Sequence, residues 1–202
     1  MKEYQRYRKI GRELSHKIID AYLSEAVLDK AAKMLKLGGK RQLVLDSEDD
    51  LSVLMDFALY EVRQKDGKNQ VERYAEEKGG VNFIERDLLT AMERARTGLY
   101  KVSQVMRDKY QIGLENLLDS QSPIVLTDIN FSETMKDGLV IYFRPIQTSK
   151  FTMTSGIAFV FPMEMEEELM KRWQRLEWKG DAERYAWFFR KSKQSGFETM
   201  YV

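Results

Sequence analysis

The sequence predicts an α+β fold with a helical N-terminal part, a small five-stranded antiparallel sheet or partly closed barrel, and two C-terminal helices. All three prolines follow residue 122, so the strongest helix breaker is absent from the first 122 residues. After Gly98 the apolar residues change from a spacing of three or four to alternation and short runs, which is typical of strands. This change defines a helical region, a β region, the C-terminal helices and a tail, at residues 1–97, 98–162, 163–195 and 196–202. We expect the first three regions to pack as one compact unit.

Apolar residues at helical spacing predict four helices in the N-terminal part. The first stripe covers residues 4–35 and ends at Gly38-Gly39, as a glycine C-cap would end it. Ser47 followed by Asp50 three residues later is a capping pattern, and it predicts the start of the second helix. The two shorter helices are predicted at residues 70–78 and 87–96.

Five strands and two further helices are predicted after Gly98. In residues 151–161 large side chains at odd positions alternate with small ones at even positions, so we expect a strand packed on both faces. Pro162 would end this strand. The other strands are predicted at residues 100–105, 110–114, 124–126 and 139–143, and the helices at 163–175 and 181–193.

The composition excludes several classes of function. The chain has no cysteine and a single histidine, His16, which excludes disulfides, thiolate zinc sites and cysteine nucleophiles. With 33 basic and 32 acidic residues, no global charge points to nucleic acid or to an acidic membrane. No apolar run reaches the ~18 residues of a membrane span, and no signal-peptide pattern is present. We therefore expect a cytoplasmic protein without a cofactor and without membrane insertion.

The N-terminal helix carries a local excess of basic residues. Residues 1–41 hold 11 basic and 5 acidic side chains. Arg6, Lys9 and Arg12 belong to this excess, and such a helix can lie along the phosphates of a nucleic acid. The alternative interpretation is a solvated face of an amphipathic helix, with the neighbouring tyrosines in its packing stripe.

The C-terminal helices are rich in aromatic residues interspersed with arginines. Trp173, Trp187 and Phe188 are the strongest candidates for contacts with a partner, because tryptophan, phenylalanine and arginine are enriched at protein interfaces. The alternative is that these side chains anchor the helices to the sheet.

The acidic residues Asp46, Glu48, Asp49 and Asp50 form the densest set of potential oxygen ligands. Asp46 and Glu48 are weak candidates for binding a divalent metal. However, acids after Ser47 suit the positive end of a helix dipole, and three consecutive helical residues point about 100° apart. A helix cap is therefore the simpler interpretation.

Three segments resemble a known group of proteins. Residues 46–60, 71–74 and 151–156 look like regions of uncharacterised bacterial proteins that carry a SEC-C zinc motif, and the resemblance spans roughly residues 45–161. The zinc motif itself needs cysteines, which this chain lacks. The resemblance therefore implies neither docking to the translocation or chaperone machinery nor any catalytic residue.

These observations favour a non-catalytic binding or regulatory protein that acts through protein contacts, with itself as a homodimer or with another protein. One alternative is a nucleic-acid-binding protein that uses the basic N-terminal helix. The other is a metal-dependent hydrolase at the acidic cluster. No residue is assigned a catalytic role.

Overall fold

A computed structural model describes residues 1–38, 48–119 and 123–197, which form eight α-helices and five β-strands. The predicted α+β class is confirmed, with helices in the N-terminal part and at the C-terminal end. The chain divides into two compact units, Met1–Ala95 and Arg96–Val202.

The first unit consists of five helices. The predicted first stripe is in fact two helices, because the chain leaves helical geometry at Leu23-Ser24. Lys36 ends the second of these helices in the left-handed conformation, ahead of Gly38. Gly39 and Ser47 lie outside the described residues. The bounds are α1 Lys2–Tyr22, α2 Glu25–Leu35, α3 Glu48–Tyr60, α4 Gln70–Glu77 and α5 Phe83–Arg94.

Polar contacts fix α1 against α5. The Tyr7 hydroxyl donates to Asp87 at 2.9 Å, and the Lys17 ammonium lies 2.7 Å from the buried Glu85 carboxylate. The fully buried Leu14 and Ile18 supply the apolar face that the sequence predicts. Since one face of α1 is committed to this packing, the opposite face is held toward solvent.

Two polar side chains lock the turn between α3 and α4. Asn69 accepts a hydrogen bond from the Glu72 backbone, while Glu72 accepts one from the Asn69 backbone, which together form a capping box. Asn69 also donates to the Tyr60 carbonyl at 3.0 Å. The buried Gln70 amide donates to the carbonyls of Ala58 and Val62 at 2.7 and 2.8 Å. These bonds satisfy carbonyls at the end of α3 that would otherwise lack partners.

Helix α5 begins four residues before the predicted start at residue 87. The Asn82 side chain accepts a hydrogen bond from the Glu85 backbone and caps the helix. The apolar spacing used for the prediction begins only at Leu88, because Phe83 is 61% exposed and does not belong to the buried face.

The strands and the short helix of the second unit are β1 Gly98–Met106, β2 Gln111–Asn116, β3 Ile124–Thr127, α6 Ile129–Thr134, β4 Val140–Gln147 and β5 Thr152–Phe161. The five strands form a closed barrel in the order β1-β2-β3-β5-β4. The described strand pairs are antiparallel apart from β3 and β5, which run parallel. Nine buried residues from the five strands, including Ile112, Leu126 and Val160, form the barrel interior together with Met135, which follows α6.

Irregular positions bend the long strands around the barrel. The pairing of β1 with β2 shifts register between Val102 and Gln104, and that of β4 with β5 shifts between Phe143 and Pro145. Pro145 has no N–H to donate to a neighbouring strand, and a strand tolerates such a residue at a register shift. Strand β4 therefore continues beyond residue 143, where the prediction ended it.

Helix α6 was not expected from the sequence. Asp128 caps it by accepting a hydrogen bond from the Phe131 backbone at 3.0 Å. Phe131 and the buried Met135 pack against the barrel interior. With six residues, α6 is too short to generate a recognisable helical period.

Two C-terminal helices cover the outer side of β4 and β5. They are α7, Glu166–Leu176, and α8, Asp181–Ser195. Ala158 and Val160 point into the barrel, whereas Phe159 and Phe161 contact aromatic residues of α8, so the predicted packing on both faces of β5 is confirmed. The Phe197 N–H donates to the Val160 carbonyl, which adds one bridge to β5. Residues 198–202 of the predicted tail lie outside the described residues.

Candidate functional site

Two loops flank the end of β3 at one end of the barrel. Gln111, the first residue of β2, pairs with Thr127, and Thr152, the first residue of β5, pairs with Leu126. The loops that precede β2 and β5 therefore lie on either side of the end of β3. The first loop, Arg107–Tyr110, joins β1 to β2 and includes the 3-10 turn Arg107–Lys109. The second, residues 148–151, joins β4 to β5. We call these two loops, with Gly113 of β2 and Val125 of β3, the loop face.

Tyr110 holds a strained and exposed position on the loop face. Its backbone is left-handed, with φ 54° and ψ 40°, a conformation that costs a side-chain-bearing residue about 1–2 kcal/mol. Two hydrogen bonds hold it there, from the Tyr110 N–H to the Arg107 carbonyl and from the Asp128 N–H to the Tyr110 carbonyl. The side chain is 36% exposed. Backbone strain that the surrounding structure maintains clusters at binding sites, although Lys36 adopts the same conformation at the end of α2.

The second loop is a tight turn with a fixed shape. The Thr148 hydroxyl donates to the Phe151 carbonyl at 2.8 Å, and the Phe151 N–H donates to the same hydroxyl at 3.2 Å. Lys150 at its tip is exposed. The two loops together carry the basic residues Arg107, Lys109 and Lys150 against the single acid Asp108.

Between the loops the strand surface carries an exposed apolar side chain opposite a glycine. Val125 is 46% exposed and pairs with Gly113 on β2. A Cβ atom at Gly113 would lie 3.0 Å from the Ser103 hydroxyl, so the neighbouring strand leaves little room for a side chain. On β1 the Lys101 ammonium lies 2.9 Å from Glu166 of α7, and this hydrogen bond and charge raise the pKa of Lys101. Lys101 is thus committed to joining the barrel to α7.

The predicted basic residues lie together on α1. Arg6, Lys9 and Arg12 are all exposed and occupy the face opposite the buried Leu14 and Ile18. The arrangement presents three cations to solvent, as both interpretations of the sequence require. His16 is exposed on the same helix.

The predicted C-terminal aromatic residues meet at one place. Phe188 is fully buried and lies against Trp187 and Trp173, with ring centroids 5.0 and 6.1 Å away. Trp173 and Trp187 are half-buried, and each lies beneath an arginine, Arg184 and Arg172 respectively. These side chains thus contribute to packing α7 and α8 on the barrel.

The acidic candidates form no metal site that the structure describes. Asp46 and the Glu48 side chain lie outside the described residues. Within residues 1–38, 49–119 and 123–197, no three potential ligands of the histidine, aspartate or glutamate type converge. In the same part of the chain, no helix has the length and apolar character needed to cross a bilayer.

The loop face was not found from the sequence. Lys109-Tyr110 is a visible basic-aromatic pair, but the left-handed backbone of Tyr110 has no local sequence signal. The residue lies some 40 positions from Lys150, and only the pairing of β3 with both β2 and β5 brings the two loops to one end of the barrel.

Comparison with known proteins places the chain in a family. No curated protein and no solved structure matches it. The resemblance to proteins with a SEC-C zinc motif is not addressed by these comparisons and stays a prediction. A family model matches residues 1–202, and the chain therefore belongs to the family of unknown function DUF7986.

Proposed function

We propose that this protein is a non-catalytic binding protein whose loop face holds single-stranded nucleic acid. The observation that carries the proposal is the placement of a strained, exposed tyrosine and three basic side chains on two loops that flank β3. Aromatic rings stack on bases of any sequence, and neighbouring cations contact the phosphates.

The connectivity of the barrel supports this choice by analogy. A five-stranded barrel in which β1 pairs with both β2 and β4, and a helix joins β3 to β4, has the arrangement of the OB-fold. OB-folds bind oligonucleotides and oligosaccharides with the strand 2–3 surface and the loops after strands 1 and 4. The loop face consists of these same elements. A fold alone does not establish a function, so the proposal depends on the residues themselves.

Titration of a fluorescently labelled ~16-nucleotide single strand tests the proposal, since an OB-fold covers about 4–16 nucleotides. We expect saturable binding by the wild type and about 5-fold or greater weakening in Tyr110→Asn, because stacking contributes ~1–3 kcal/mol per base. Asparagine tolerates the left-handed backbone, so this variant removes the ring and keeps the loop. Trp178→Asn is the matched control, as Trp178 is 80% exposed and lies between α7 and α8. Equal binding by both variants would refute the proposal.

Protein contacts are the second candidate, including self-association as a homodimer. The observation in its favour is Trp178, whose 80% exposed ring is typical of a residue that a partner covers. Size-exclusion chromatography with light scattering of the wild type and of Trp178→Ala tests it. A dimer mass for the wild type that falls to the monomer mass in Trp178→Ala would favour this candidate. A monomer mass for both proteins would contradict the homodimer.

A cytoplasmic location also stays a prediction, which cell fractionation tests.

A further inference from the structure

We propose that α1 contains a second surface for nucleic acid, which contacts only the phosphate backbone. We call it the basic strip, and it consists of Lys2, Arg6, Lys9 and Arg12. The inference does not depend on the loop face, because the two surfaces belong to different units of the chain and only the loop face includes an aromatic ring.

The geometry of the basic strip suits a charged polymer. Arg6, Lys9 and Arg12 follow each other at intervals of three, so they form a continuous row along about 9 Å of helix axis. Lys2 extends this row toward the N-terminus, and all four side chains are exposed. In the described part of the chain Arg6 and Arg12 have no acidic partner, and Lys9 reaches Glu13 only at 4.0 Å. An i,i+4 ion pair in this geometry is weak enough for a phosphate to replace it.

The rest of the unit keeps the basic strip facing outward. Lys17, further along α1, does not belong to the strip, because its ammonium forms an ion pair with the buried Glu85 at 2.7 Å. The Tyr7 hydroxyl donates to Asp87, and the Tyr22 hydroxyl donates to Glu77. Because these contacts fix the orientation of α1, binding requires no rearrangement of the helix.

The burial of α1 favours nucleic acid over an acidic membrane. An amphipathic helix binds a bilayer by inserting its apolar face below the headgroups. The apolar face of α1, with Tyr4, Tyr7, Leu14 and Ile18, is already buried within the protein. What α1 offers a partner is charge without large apolar side chains, and arginine in particular forms paired hydrogen bonds with phosphate.

The test compares two variants of equal net charge. In the strip variant Arg6, Lys9 and Arg12 are replaced by glutamine, and in the control variant the exposed Lys33, Lys65 and Lys78 of the same unit are replaced by glutamine. Binding of labelled single- and double-stranded DNA is measured between 50 and 200 mM salt, about the range in which phosphate contacts dominate the response. Circular dichroism and the urea midpoint verify that both variants fold.

We expect the strip variant to bind DNA about 10-fold or more weakly at the low-salt end, with a salt slope smaller by about 2–3 because each phosphate contact contributes ~0.7–0.9 to it. The control variant should lose much less. Equal effects of the two variants, or no DNA binding by the wild type, would overturn the inference. So would binding to phosphatidylserine vesicles that the strip variant loses while its DNA binding is unchanged. Tyr110→Asn should leave the salt slope intact, so failure of the loop face and failure of the basic strip are distinguishable.

Discussion

Leu126 of β3 pairs in parallel with Thr152 of β5, the first residue after the turn at residues 148–151. This pairing closes the barrel on one side of β3, while Gln111 and Thr127 close it on the other. As a result two loops that are distant in sequence border the same short strand. The proposed binding surface is therefore a consequence of how the barrel closes.

The contact between α8 and the barrel should carry much of the stability of the second unit. Phe188 stacks on Tyr142 of β4 with ring centroids 4.1 Å apart, and it is fully buried. We expect Phe188→Ala to lower the free energy of unfolding by about 3–5 kcal/mol. Urea unfolding followed by tryptophan fluorescence measures this, because Trp173, Trp178 and Trp187 all belong to this unit. Trp178→Ala should change it by less than about 0.5 kcal/mol. Similar losses in both variants would contradict the assignment of Phe188 to the core.

Replacing Tyr110 should change the free energy of unfolding little if the new residue accepts a left-handed backbone. We expect Tyr110→Asn to stay within about 1 kcal/mol of the wild type, since asparagine accepts a left-handed backbone. Tyr110→Val should cost about 1–2 kcal/mol, because a β-branched side chain opposes that conformation. Urea midpoints compare the two variants. A higher urea midpoint for Tyr110→Val than for Tyr110→Asn would contradict a left-handed backbone at Tyr110.

The Lys17–Glu85 pair should make the first unit sensitive to acid. Burial by itself would raise the pKa of Glu85, but hydrogen bonds from Lys17 and the Val81 backbone outweigh it and hold that pKa below its ordinary value of 4.5. A carboxylate whose pKa is lower in the folded state stabilises the protein above its unfolded pKa. That stability disappears as the pH falls through the folded pKa.

We therefore expect the urea midpoint of the wild type, followed by circular dichroism at 222 nm, to fall as the pH drops below about 4.5. Glu85→Gln should cost about 1 kcal/mol or less at neutral pH, because Lys17 is partly exposed, and should flatten the acid dependence. Glu85→Ala should cost more, since the Val81 N–H loses its acceptor as well. An unchanged acid slope in Glu85→Gln would exclude this pair as the source.

Asn69 is expected to support two helices at once. Asn69→Ala removes the cap of α4 and the bond to the Tyr60 carbonyl at the end of α3, and we expect a loss of about 1–2 kcal/mol. Asn69→Ser keeps a capping oxygen and loses the donated hydrogen bond without adding a charge, so it should cost less. Thermal unfolding followed by circular dichroism at 222 nm ranks the variants. An equal loss in both would mean that the cap contributes nothing.

The sequence predicts most elements of this fold, because each long element has its own period. Residues 151–161 alternate large and small side chains for a physical reason, since Phe159 faces α8 and Val160 faces the barrel interior. The break between α1 and α2 was missed because the apolar stripe continues across Leu23-Ser24. Barrel closure was also beyond prediction, since the Leu126–Thr152 pair depends on which strands meet and not on local spacing.

Some residues of the candidate sites are predicted from local spacing, whereas others depend on the tertiary structure. The exposed row of Arg6, Lys9 and Arg12 follows from helical spacing alone, so the sequence predicts it. Phe188 was equally visible, but its burial depends on Tyr142, which lies 46 residues earlier on another element. Tyr110 became a candidate only through its backbone geometry and its position beside β3.

Photo-cross-linking tests the loop face most directly. A single strand containing iodouracil is irradiated with the wild-type protein, and the cross-linked tryptic peptides are identified by mass spectrometry. Trypsin cleaves after Lys109 and Lys136, so Tyr110 and Val125 fall in one peptide, residues 110–136. The proposed function predicts a cross-link at Tyr110 in this peptide, lost in Tyr110→Asn. Cross-links confined to peptides outside the loop face, with none in residues 110–136, would contradict it.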